Sequence, residues 1–195
     1  MSTEASAQPG RLDPRAPRVD RRSGTPALLA AVREFHAAVL DRQDLDLVTR
    51  ELVRLRSAQV HDCRTCRSVR HVEAADAGVD QAMAEQVARY EDGDLPERAR
   101  AALRVVDWFI SRPEPDQAAV TGPARAELSD LELADLLVSV AKNSTQKVMV
   151  ALGIDDIDPA VLNEAGVAYY RYREDGTHSG FSPDAATVRR SAGEG

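Results

Sequence analysis

Apolar positions along this chain recur three and four residues apart, the period of helices that bury one face. Thr25-Pro26 supplies a helix start, with threonine as cap and proline at the first helical position. Leu28, Leu29, Val32, Phe35, His36, Val39 and Leu40 follow on one stripe, and His36 there reads as a packed histidine. Asp46 is placed to cap a second helix reaching about Val60, with Val48, Leu52, Leu55 and Gln59 on one face and Glu51 beside it. Asp62 is placed to cap a third helix over 63–77, stopped by Gly78. Further helices are expected over 81–91, with Met83, Val87 and Tyr90 inward, and from Pro96 to before Pro113, with Ala99, Leu103, Val106, Phe109 and Ile110 inward. Ser129 and Glu132 form a capping box, in which each side chain satisfies a backbone donor of the other. The helix it starts carries Leu131, Ala134, Leu137, Val138 and Ala141, is interrupted at Asn143, Ser144 and Thr145, and resumes to Gly153.

Residues 112–121 read as a connection and 160–170 as a short helix. There is no alternating strand pattern, internal repeat or glycine-rich phosphate loop, so the expected fold class is all-α. The expected organisation is a flexible arm over 1–24, a compact helical domain over 25–165 and a C-terminal tail over 166–195.

Composition agrees. A chain of 195 residues can bury one substantial core, and few aromatics beside abundant alanine and leucine favour helix. A net charge of −7 gives a nucleic-acid partner no overall electrostatic support, although arginines cluster over 11–22 and 50–70. No apolar run approaches the roughly 20 residues needed to cross a bilayer, and Arg33 and Glu34 end the apolar patch at 27–32 early. The expectation is a cytoplasmic protein with no membrane and no nucleic-acid partner.

In that setting the chain's two cysteines, Cys63 and Cys66, carry the chemistry. In a reducing compartment a lone C-x-x-C is more often redox-active or metal-binding than a structural staple. Arg64, Arg67 and Arg70 favour a thiolate and Asp62 opposes it; on a straight helix Cys63, Cys66 and Arg70 share a stripe. Glu51 and His61 are candidates to carry a proton, whereas His71, five positions after Cys66, points away on such a helix. A zinc site needs four ligands, and His36, His61, His71 and His178 do not stand at a recognisable second-pair spacing. Redox chemistry therefore leads, with zinc and inert thiols as alternatives, and no cofactor is expected.

With Glu51, Cys63 and Cys66 in place, the chain resembles the carboxymuconolactone decarboxylase superfamily, in its alkylhydroperoxidase D-like branch. The branch pattern is a glutamate, eleven residues, C-x-x-C, three residues and a histidine; Glu51 and Cys63 keep that spacing, and the segment 141–153 is similar to the family's closing helix. The resemblance covers roughly 26–160. It implies a helical homo-oligomer that reduces peroxides, with Cys66 as attacking thiolate, Cys63 closing the disulfide and Glu51 in the proton relay. It also implies a thiol reductant such as a lipoyl protein. The chain departs from the pattern where Arg70 stands for the histidine, with His71 one place late, and where Thr65 lies between the cysteines. A general disulfide oxidoreductase role survives that change better than peroxidase activity. The alternatives are a non-catalytic helical interaction protein and a lactone decarboxylase-type member of the superfamily.

Overall fold

In the computed structural model, residues 26–42, 44–111 and 116–191 are described; the expected arm at 1–24 lies outside them. The architecture is organised on α2 (Leu47–Val60), which the Asp46 carboxylate caps by accepting from the Thr49 amide at 2.8 Å. Leu52, Val53 and Leu55 of α2 are buried between two longer helices. One is α6 (Glu97–Ser111), contributing Ala102, Leu103 and Val106; the other is α8 (Asp130–Ser144), contributing Leu133, Leu136 and Val140. Removing one of these leucine side chains would cost about 2–5 kcal/mol, the transfer loss plus the cavity left behind.

The capping box forms as expected, Glu132 accepting from the Ser129 amide at 2.7 Å. The stripe on α8 does not. Leu131 and Ala134 face solvent, while Asp135, Ser139, Lys142 and Asn143 are buried beside the apolar face. Apolar residues occur on both sides of this helix, so the period alone could not say which side meets the core. The helix α1 (Pro26–Asp41) lies on α8, and the outer part of its expected core stripe, Leu28, Val32 and Phe35, is exposed.

The expected connection at 112–121 corresponds in its described part to the start of α7 (Gln117–Glu127), which Asp116 caps and which packs against α6 and α8. The helix expected over 81–91 is shorter, α5 (Gln81–Gln86) followed by a 3-10 turn at Val87–Arg89.

The largest departure surrounds the cysteines. The single helix expected over 63–77 is broken into α3 (Arg64–Ser68), a strand β1 (Val69–His71) and α4 (Val72–Asp76). Val69, Arg70 and His71 pair in parallel with Ala168, Tyr169 and Tyr170 of β2 (Ala168–Tyr170), which supplies the backbone partners a continued helix would have used. The fold is therefore mostly helical, in keeping with the expected all-α class, with one small parallel β pair added to it. Residues 160–170 accordingly hold a 3-10 turn at Pro159–Val161 and then β2. Within 166–195, read from the sequence as tail, β2 is followed by α10 (Ala185–Arg190), capped by Asp184 and docked on β2 and α4. Between α8 and β2 runs α9 (Gln146–Ala151).

Candidate functional site

Asp62 takes a left-handed backbone with φ of 54°, so it ends the turn after α2 and is not the cap of α3. Cys63 is that cap: its Sγ accepts from the Cys66 amide at 3.3 Å. The two sulfurs are paired at disulfide distance, with their Cα atoms 5.3 Å apart, and both residues are buried, packed with Ala58 and Val150. The loop following α9 holds the other side of the turn. The Asp155 carboxylate accepts from the Arg64 amide at 2.9 Å and its carbonyl accepts from the Thr65 hydroxyl at 2.6 Å. Burial pushes the Asp155 carboxyl up, but Arg64 outweighs it and holds it below the ordinary range.

Glu51 is buried, at 4% exposure, but its carboxylate is engaged with Arg54. Arg54 donates through Nε to Oε2 and through Nη2 to Oε1, each at 2.7 Å. The same guanidinium donates from Nη1 to the Cys66 carbonyl and from Nη2 to the Val69 carbonyl, each at 2.7 Å. Those are carbonyls that the end of the short α3 leaves without helical partners, so Arg54 caps the C-x-x-C helix and Glu51 holds Arg54 in place. Burial works against the Arg54 charge, and Glu51 and Tyr170 outweigh it. The helix-neighbour pairing of Glu51 with Arg54, at three-residue spacing, thus describes the ground state; for Glu51 to carry a proton the pair must part.

The other candidates are spread around this centre. His61, at the end of α2, has Nε2 3.0 Å from the Ser144 hydroxyl, and burial together with Lys147 pushes its pKa down. Arg70 leaves the cysteine stripe because it sits in β1. Its Nη1 donates to the Arg67 and Val69 carbonyls at 2.7 and 2.9 Å, and its Nη2 donates to Gln81 Oε1 at 3.2 Å. His71, also in β1, is turned to the far side of the Glu51–Arg54 pair; its amide donates to Glu51 at 3.4 Å and its Nε2 lies 2.7 Å from Glu73 Oε2. Its ring contacts Tyr170 and Tyr172, with centroids 5.5 and 5.2 Å away.

The site also contains groups that the sequence reading passed over. Tyr170 and Lys142 both donate to the Tyr172 hydroxyl oxygen, at 3.2 and 3.0 Å. Burial pushes the Tyr172 phenol up, but Lys142 and these hydrogen bonds leave it below the ordinary tyrosine range. One signal was available: three of the chain's four tyrosines fall at 169, 170 and 172. Among the described residues no group of three or more His, Cys, Asp or Glu side chains is placed to hold a metal, and no helix is long and apolar enough to cross a membrane.

Residues 26–108 match the model of the carboxymuconolactone decarboxylase family. This helical segment belongs to that family. It contains Glu51, His61, Cys63, Cys66, Arg70 and His71, whereas Lys142, Tyr170 and Tyr172 lie beyond it. An uncharacterized protein of Mycobacterium tuberculosis, known in strains H37Rv and CDC 1551 / Oshkosh, is 38% identical over 148 residues. That alignment takes in 75% of this chain and 51% of the relative, so the chain spans about half the length of the curated relatives it matches. The fold is similar to that of a protein of unknown function from Agrobacterium tumefaciens, proposed to be an antioxidant defence protein AhpD. The TM-score is 0.60 at 21% identity, covering 73% of this chain and 97% of that one. The fold over the matched 73% of the chain is therefore AhpD-like.

Proposed function

We propose that the protein is a thiol-dependent peroxidase or disulfide oxidoreductase of the alkylhydroperoxidase type, working through Cys66 and Cys63. The observation that carries this reading is the pairing of the two sulfurs at disulfide distance around the first turn of α3. In the peroxidase cycle the Cys66 thiolate attacks one peroxide oxygen, giving a sulfenic acid and an alcohol once the leaving alkoxide takes a proton. The Cys63 thiol then displaces water to form the disulfide, and an external dithiol, such as a lipoyl group on a partner protein, returns both thiols by exchange. His61 and His71 are the ring nitrogens nearest in sequence to this pair, and Glu51 joins the relay only when it leaves Arg54. A reducing, cytoplasmic setting fits a cycle that starts from free thiols. Assembly as a homo-oligomer is supported by the exposed Leu28, Val32 and Phe35 on α1.

A disulfide oxidoreductase without peroxidase activity is favoured by one observation: Arg70, where the resemblance expects histidine, is bound to carbonyls and Gln81 and cannot release a proton at neutral pH. Stopped-flow consumption of an alkyl hydroperoxide by prereduced protein tests the cycle. Consumption of one equivalent of peroxide per chain, lost in Cys66→Ser, is expected; equal rates in the two proteins rule the mechanism out.

A further inference from the structure

On the side of Glu51–Arg54 where His71 lies, a cavity of about 550 Å³ opens between α1, α2, α8 and the strand end after β2. Neither cysteine lines it. Pockets of this size take small organic ligands. Its lining includes the aliphatic side chains of Val39, Leu40 and Leu45 and the polar groups of Lys142, Asn143 and Tyr172.

Lys142 is one of only two lysines in the chain, and it is 7% exposed. Its ammonium donates to the Tyr172 oxygen and sits 4.6 Å from that ring's centroid, and among the described residues no carboxylate lies within ion-pair distance of it. Of the acids that line the cavity, Glu51 is committed to Arg54, Asp46 to Arg98 and Glu73 to His71 and Arg171, and among the described residues none of them, Asp41 and Glu174 included, pairs with Lys142. A buried ammonium with no carboxylate beside it is expensive unless an anion answers it. Asn143, next to Lys142 on α8 and 3% exposed, lines the same cavity and can donate from its side-chain amide.

We propose that this cavity binds a small organic monocarboxylate with an aliphatic tail, the carboxylate received by Lys142 and Asn143 and the tail laid along Val39, Leu40 and Leu45. The site adjoins the proposed thiol chemistry, since Glu51 and His71 line it too, but neither cysteine takes part in the binding. The binding groups come from α8, beyond the family segment, whereas the aliphatic lining belongs to α1 and the turn before α2. Its nearest link to the cysteines is Arg54, which lines the cavity and also holds the Cys66 carbonyl.

Isothermal titration of the full chain with sodium octanoate, octanol and octylammonium chloride tests the site. Octanoate is expected to bind at one per chain, with the alcohol and the ammonium each at least tenfold weaker. Lys142→Met is expected to lose at least tenfold in octanoate affinity at an unchanged circular dichroism spectrum. The double variant Cys63→Ser/Cys66→Ser is expected to bind octanoate as the wild type does, so failure of the redox reading and failure of this one are told apart. Absence of octanoate binding, equal binding of octanol, or wild-type affinity in a folded Lys142→Met would overturn the proposal. If Lys142→Met does not fold, the comparison of the three wild-type titrations decides. Loss of octanoate binding in the double-serine variant would overturn the statement that neither cysteine takes part in the binding.

Discussion

Arg54 holds Cys66 by its backbone, Nη1 donating to the Cys66 carbonyl oxygen at 2.7 Å while the other face of the guanidinium is taken by Glu51. A buried ion pair is thereby built into the floor of the C-x-x-C turn. Removing Arg54 leaves an uncompensated carboxylate and takes from the Cys66 carbonyl its side-chain donor. Arg54→Ala is expected to destabilise the chain by about 3–5 kcal/mol. The double replacement Glu51→Ala/Arg54→Ala should cost clearly less than the sum of the two single ones, because no charge is then left stranded. Urea unfolding of the four proteins measures the cycle, and additive effects would show that the pair is not coupled.

A second prediction separates the roles of the sulfurs. In Cys63→Ser the resolving thiol is gone, so treatment with one equivalent of peroxide should leave a sulfenic acid at Cys66 that dimedone traps one to one, detected by intact mass. Cys66→Ser should take up no dimedone. Labelling of Cys66→Ser at Cys63 would reverse the assignment.

The capping box makes the stability sensitive to acid. The Ser129 amide and Arg98 pull the Glu132 carboxyl down to about 2 from an ordinary value near 4.5. The folded state therefore favours the ionised form, and the stability it contributes is complete above about pH 4.5 and lost as pH falls toward 2. Glu132 is partly solvated, so its worth is that of a helix cap, about 1 kcal/mol. Glu132→Gln should show that deficit in denaturant unfolding at pH 7, and the gap from wild type should close by pH 2. A gap independent of pH would mean that the carboxylate charge plays no part.

Tyr172 gives a spectroscopic readout. Because burial is outweighed by Lys142, one tyrosine should ionise below the ordinary range in an ultraviolet titration of tyrosinate absorbance. Lys142→Met should move that transition upward and Tyr172→Phe should delete it. A titration with no early-ionising tyrosine would remove Lys142 as the dominant influence on the phenol.

The helices were legible where a local signal sufficed. Asp46, Asp80 and Ser129 cap the helices that follow them because a side-chain oxygen two or three residues from an orphan amide needs nothing else from the chain. Asp116 caps α7 in the same way and was passed over, because Pro113 and Pro115 nearby marked the stretch as connection. Local signals failed at the cysteines. Nothing within 63–77 announces a strand; β1 exists because β2, almost a hundred residues later, offers it a parallel edge. That pairing turns Arg70 off the cysteine stripe and brings His71 to the tyrosines, undoing the face argument that a straight helix had supported.

What the sequence determined by itself is the C-x-x-C pair with its neighbours and most of the helical frame. Two thiols one turn apart, a glutamate at the family spacing and caps that act within three residues are properties of neighbours. Tertiary structure alone decided what those groups meet. It gave Glu51 to Arg54, broke the cysteine helix into α3, β1 and α4, and buried Lys142 beside Tyr172, because those outcomes depend on hydrogen-bond partners and burial supplied from distant parts of the chain.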